Sequence, residues 1–157
     1  DAIVQTATEY LGEDRSESLE FRFDNEHILL EHARKRFIFG WGGWARNRVR
    51  DEETGENISV TDGSWIITLG VSGLIGFIAK FGLLAISIFR AKTAVKLITD
   101  KSQQTLLAAH ALLVGIIMID QLPNSSLSPW LWLLVGGLLG RAENISTENN
   151  KQLINNY

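Results

Sequence analysis

The 157 residues carry 15 Lys/Arg against 18 Asp/Glu, a net charge of −3, and no cysteine. The missing cysteines exclude disulfides and thiolate metal sites. The basic residues are outnumbered and lie mostly beside apolar runs, which is no footprint for nucleic acid. The net charge conceals two chemistries. Residues 1–63 hold 14 acids and 8 cations, whereas residues 64–157 hold 4 acids and 7 cations. Such asymmetry predicts two environments rather than one aqueous core. The chain starts at Asp1 with neither a basic n-region nor an apolar h-region behind it. It is therefore expected to be the C-terminal part of a longer protein.

The fold class predicted is an all-α integral membrane protein, in which a polar helical and loop segment, 1–63, leads into about three transmembrane helices within 64–141. In the polar segment, Asp24 or Asn25 is placed to cap a helix over Glu26–Arg36, with Glu31 and Lys35 as an i,i+4 pair. Phe37–Phe39 is apolar, Gly40–Trp44 reads as a glycine-broken aromatic turn, and Asp51–Asn57 as a polar turn. Ile58–Thr61 is short and β-prone.

The first span is predicted over 65–89, a hydrophobic run whose one charge is Lys80. About 20 such residues cross a ~30 Å hydrocarbon core. Trp65 stands at its start, where indole rings favour the membrane interface. Lys80 is expected to snorkel or to face a protein neighbour. A second span is predicted over 105–122, ending at Pro123, and a third over 127–140, opened by Pro129, Trp130 and Trp132. Their short connection predicts a helical hairpin. The loop 90–104 carries Arg90, Lys92, Lys96 and Lys101 against Asp100, while the hairpin loop has no charge and Arg141 follows the third span. The positive-inside rule then puts 90–104 and the C-terminus in the cytoplasm and 1–63 outside it. The tail 142–157, rich in Asn, Glu and Ser, is predicted to be disordered.

Several side chains can carry chemistry. Arg22, Arg34, Arg46 and Arg48, with Lys35, Arg36 and Arg50, are external cations, and the arginine forks among them match phosphate oxygens, although each also suits a solvated surface. Asp62 begins the first span, where a carboxylate can cap the helix or act as a general base. Gly70, Gly73 and Gly76 are spaced for close helix packing. His110 and Asp120 are polar residues within a span. His27 and His32, five apart, do not share a helix face, so no metal site is expected.

The order Arg22, helix, FIFGWGGW at 37–44 and TDGSWIITLGVSGLIGF at 61–77 resembles the O-antigen ligase/polymerase-like membrane proteins over residues ~15–90. The resemblance implies a metal-independent glycosyltransferase without cofactors in the bacterial inner membrane, with 1–63 in the periplasm. It further implies an undecaprenyl-diphosphate-linked glycan as donor and a glycan or lipid as acceptor. Arg22 matches the family's arginine, which contacts the diphosphate. The family's catalytic histidine position falls on Asp62, with Gly63 where Asn is usual and Trp65 where Tyr is usual. Asp62 would then activate the acceptor, with Arg34, Arg46, Arg48, Trp41 and Trp44 in substrate binding. An ionised aspartate accepts a proton but donates none. The alternative is a transporter or a non-catalytic membrane assembly subunit using Lys80, His110 and Asp120. A fragment of this length is expected to lack activity by itself.

Overall fold

The computed structural model describes residues 13–125 and 129–155 and holds four helices: α1, Glu13–Arg34; α2, Ser64–Val95; α3, Lys101–Asp120; α4, Pro129–Asn155. No strand occurs among the described residues, so the chain is all-α there. The start of the expected third span, 127–128, lies outside them, as do residues 1–12 and 156–157. Two of the helices, α2 and α3, are long and apolar enough to cross a membrane. Only 17% and 11% of their most apolar windows are buried. A helix in an aqueous core hides such a face; these leave it open, as a lipid-facing helix does. The helix that contains the expected third span, α4, does not meet the same measure of length and apolarity. The chain divides into two compact units, one of residues up to Phe77 with Pro123–Ser125, the other of Ile78–Leu122 with the residues from Pro129 onward.

In the first unit, α1 begins well before the expected cap. Asp24 and Asn25 sit inside it, because the surrounding Glu, Leu, Arg and Phe residues sustain a helix across them. Asn25 is buried and acts as a tie rather than a cap. Its amide donates to Phe21 O at 2.8 Å and its oxygen accepts from Val60 N at 2.9 Å. Glu31 pairs with Arg34 instead of Lys35, since the helix ends at Arg34. Leu29, Ala33, Ile66 and Leu69 are buried in this unit.

The expected aromatic turn is real and tightly wound: Gly40, Gly42, Trp44 and Ala45 all have positive φ. The β-prone stretch Ile58–Thr61 forms no strand; a single bridge lies just before it, between Arg50 and Asn57, and closes the turn at Asp51–Glu56. Asp51 organises that turn. Its carboxylate accepts from Thr54 N at 2.8 Å, Glu53 N at 3.0 Å and the Thr54 hydroxyl at 3.1 Å. These donors, the Thr54 amide foremost, hold its pKa below the ordinary 3.8. A lowered folded pKa gives a stabilisation present above the unfolded value and lost as pH falls through the folded one. Amide exchange at Glu53 and Thr54 is therefore expected to lose protection only in acid below about pH 4. In Asp51→Ala the protection should already be absent at neutral pH.

The first span is expected over 65–89, but α2 runs from Ser64 to Val95 and is broken at Gly73, where φ is 65° and ψ −166°. The loop fills the break. Trp41 N and Gly42 N donate to Gly70 O and Val71 O, both at 2.8 Å. Leu74 N and Ile75 N donate to Phe37 O and Ile38 O at 2.8 and 3.3 Å. Two helical bonds, from residues 74 to 70 and 75 to 71, are thus replaced by four bonds to loop backbone. An apolar helix tolerates a break only when neighbouring groups satisfy the freed ones. Two of the three glycines expected to receive another helix face residues of the preceding segment instead: a Cβ on Gly73 would meet Ile38 O, and one on Gly70 would meet the Asn47 side chain, whereas one on Gly76 would meet only Ser72 of its own helix. After the break, Leu74–Val95 is ~33 Å long at 1.5 Å per residue, enough for a span alone.

The second unit is a helical packing of α2 beyond Ile78 with α3 and α4. Leu84, Ala91 and Ala94 from α2 meet Leu107 and Val114 from α3 and Leu131, Val135, Leu138 and Ala142 from α4. The hairpin of α3 and α4 is present. Helices extend to Val95 and start again at Lys101, so the expected loop 90–104 shrinks to residues 96–100. Asp100 caps α3 by accepting from Ser102 N at 3.1 Å.

The tail expected to be disordered from 142 continues α4 to Asn155. The cause is periodic: Leu131, Val135, Leu138 and Ala142, then Ile145 packed beside them, keep a 4-3 apolar spacing across Arg141. Its polar residues find partners as well. Arg90 Nε pairs with Glu143 at 3.2 Å, Arg141 donates to the Gln103 side chain, and Ser146 donates to Ala142 O at 3.0 Å.

Candidate functional site

The helix of Ser64 starts with a bond from Ile67 N to Gly63 O at 3.2 Å. Gly63 thus holds the cap position and Asp62 stands just before it, its carboxylate turned to α1 rather than to the first-turn amides. Its Oδ2 lies 3.9 Å from Arg22 Nε, with both side chains about half exposed. The two residues expected to be catalytic, forty positions apart in the chain, therefore meet.

They meet in a cleft of about 220 Å³ lined by Phe21, Arg22, Phe23, Asn25, Glu26, Val60, Asp62 and Pro123. Arg22, Asn25 and Glu26 are spaced i, i+3, i+4, which places them on one face of α1. Asn25 fixes Val60 against that face, and Val60 sets the position of Asp62 two residues on. Glu26 accepts from Trp65 Nε1 at 3.3 Å, which ties α1 to the first turn of α2. Asn124 O accepts from Ser64 N at 3.0 Å, bringing Pro123 to the rim. Phe21 and Phe23 are exposed apolar walls.

An exposed ion pair of this length contributes about 0–1 kcal/mol. It holds the two groups near each other without locking either. Arg22 retains donors of its five-donor fork for an anion, and Asp62 retains acceptor capacity for a hydroxyl. Glu26 and Asn25 escaped the sequence reading as members of this site. The i+4 spacing of Glu26 from Arg22 is the signal that marks the first; Asn25 carries no such mark until Val60 is in place.

The residues expected in substrate binding do not line this cleft. Trp41 belongs to a second cluster: its ring stacks on His32 with centroids 4.3 Å apart and planes 9° apart, and its Nε1 donates to His32 O at 2.9 Å. Arg36 lies over the same indole at 4.7 Å, a cation–π contact. His32 Nε2 is 3.0 Å from Arg46 O, and Arg46 Nε donates to Gly43 O at 3.1 Å. Trp41 and Arg46 thereby hold the loop in shape. Arg34 is engaged by Glu31, Arg48 is exposed, and Trp44 is 94% exposed.

Of the residues within the apolar helices, His110 packs toward Gly137 of α4. Its buried Nε2 has no hydrogen-bond partner among the described residues. Lys80 Nζ lies 5.3 Å from the centre of the Phe81 ring. Among the described residues no three His, Asp or Glu side chains gather as a metal site. No family model, no curated protein and no solved structure matches the chain.

Proposed function

We propose that the chain is the C-terminal part of an O-antigen ligase/polymerase-like inverting glycosyltransferase of the bacterial inner membrane, with three spans and its polar segment in the periplasm. The observation that carries this reading is the meeting of Arg22 and Asp62 in one cleft beside the start of an apolar helix. A diphosphate leaving group needs a cation, and an acceptor hydroxyl needs a proton acceptor; the cleft offers one of each.

In the proposed step the acceptor hydroxyl gives its proton to the Asp62 carboxylate while its oxygen attacks the anomeric carbon of the donor. The bond from that carbon to the diphosphate breaks, and its electron pair leaves with the diphosphate, whose charge Arg22 receives. Asp62 then passes the proton to solvent. Inversion sets base and leaving group on opposite faces of the sugar, where the paired groups of inverting hydrolases stand ~6.5–9.5 Å apart. At 3.9 Å the Arg22–Asp62 pair is a closed resting contact that substrate must part. Its weakness makes parting cheap.

The transport alternative draws on Lys80, His110 and Asp120 and on the break in α2, since broken helices expose backbone groups to ions in transporters. Here four groups at the break, Gly70 O, Val71 O, Leu74 N and Ile75 N, are bonded to the loop. The enzyme reading is therefore preferred. Deletion of the gene tests it: surface glycan should be lost entirely or cut to one repeat unit, and wild-type glycan in the deletion strain refutes it.

A further inference from the structure

Between Glu31 and Asp51 the chain places six cations, Arg34, Lys35, Arg36, Arg46, Arg48 and Arg50, and no acid. Every Asp and Glu of the otherwise acidic polar segment lies outside that window. Within it, Lys35 and Arg36 line a shallow cleft of about 370 Å³ together with Phe37, Ile38, Phe39 and Gly40. The three apolar residues are consecutive and exposed by 43%, 56% and 76%.

Exposure of this kind is fixed by the backbone. Phe37 O and Ile38 O are bonded to Leu74 N and Ile75 N of α2. The stretch cannot turn its side chains inward without breaking those bonds. Arg34 is already engaged by Glu31, whereas the contact of Arg36 with the Trp41 ring leaves its N–H donors open and no side-chain partner of Lys35 occurs among the described residues. Two cations beside an exposed apolar stretch, fastened to a membrane-length helix, complement an amphiphile with an anionic head.

We infer that the Lys35–Gly40 cleft seats an anionic phospholipid of the bilayer, its phosphate on Lys35 and Arg36 and its acyl chain along Phe37–Phe39. The site is separate from the Arg22–Asp62 cleft and stands whether or not the chain transfers glycan. A basic residue beside an anionic surface adds about fivefold in affinity. The two cations therefore select an anionic lipid over a zwitterionic one by that factor or more.

The chain has no cysteine, so Phe39→Cys provides a single attachment point for a fluorophore in proteoliposomes of phosphatidylcholine with or without phosphatidylglycerol. Spin-labelled phosphatidylglycerol should quench this label severalfold more than spin-labelled phosphatidylcholine. Acrylamide should reach it far less than a label at Glu53→Cys in the exposed acidic turn. Lys35→Gln with Arg36→Gln should bring the two lipids level while leaving the label shielded from acrylamide. Equal quenching by the two lipids in the otherwise native chain overturns the assignment. So does a label that acrylamide reaches as at Glu53, or one that no lipid quenches because protein covers it. Should Phe39→Cys fail to fold, native mass spectrometry of the unmodified chain gives the same decision: phosphatidylglycerol retained over phosphatidylcholine supports the site, and equal retention sinks it.

Discussion

Gly73→Ala is expected to tear the loop Phe37–Gly42 from α2 and to destabilise the first unit by about 3 kcal/mol or more. Two separate effects combine. The backbone at Gly73, with φ 65° and ψ −166°, lies in a region that is essentially glycine's own, and a side chain there costs about 1–3 kcal/mol. The added Cβ would also run into Ile38 O and Gly40 N, both backbone atoms that no rotamer can clear. Relief requires the loop to move, and movement breaks the four bonds it makes to Gly70, Val71, Leu74 and Ile75. Each broken bond leaves a donor and an acceptor beside an apolar helix, where unsatisfied groups cost about 1–3 kcal/mol.

Gly40→Ala meets the same junction from the other side, with its Cβ 2.5 Å from Gly73 N and Val71 O. Because either substitution alone displaces the loop, the double variant should lose little beyond the worse single one. Gly43→Ala and Gly136→Ala add a Cβ into open space and serve as controls. Limited proteolysis between residues 35 and 50, with the folded yield in detergent, reads the difference. Resistance in Gly73→Ala equal to that in Gly43→Ala would show that the loop is not held by the break.

The two membrane-length helices were legible because apolar runs of such length suit a bilayer far better than an aqueous core, and the acidic and cationic halves separate along the chain. What escaped was non-local. Leu69–Gly76 reads as a helix with packing glycines, and nothing in it announces that Trp41 and Gly42 will take the carbonyls of Gly70 and Val71. The start of α1 escaped for the opposite reason, being a helix with charges around most of its surface and little apolar period to follow. In α4 the period was there to be read, since Leu131, Val135, Leu138, Ala142 and Ile145 keep their spacing beneath the polar composition that suggested disorder. Of the site, Arg22 and Asp62 were singled out one at a time, by charge, position and resemblance. Their contact depends on Asn25 holding Val60, a tertiary bond between residues thirty-five apart.

On the proposed function, Asp62→Ala and Arg22→Ala are each expected to abolish glycan transfer while leaving insertion and folding intact. A positioned general base is worth about 10²–10⁴ in rate, and a charge aimed at a leaving group about 10²–10³. The loss of stability, by contrast, should stay within the ~0–1 kcal/mol of an exposed pair. That disparity separates a working site from a scaffold contact, because a scaffold contact would move stability and activity together. The conservative variants divide the roles. Asp62→Asn keeps the shape and the hydrogen-bonding edge but accepts no proton, so transfer should fail as in Asp62→Ala. Arg22→Lys keeps the charge but loses the two-pronged fork, so partial activity with weakened donor binding is expected. Joined in one chain, Asp62→Ala and Arg22→Ala should cost scarcely more than either alone, since one step needs both. Transfer at the normal rate by Asp62→Ala would reduce that carboxylate to a surface partner of Arg22, and the proton of the acceptor would have to leave by another group of the cleft, with Glu26 the next carboxylate along its wall.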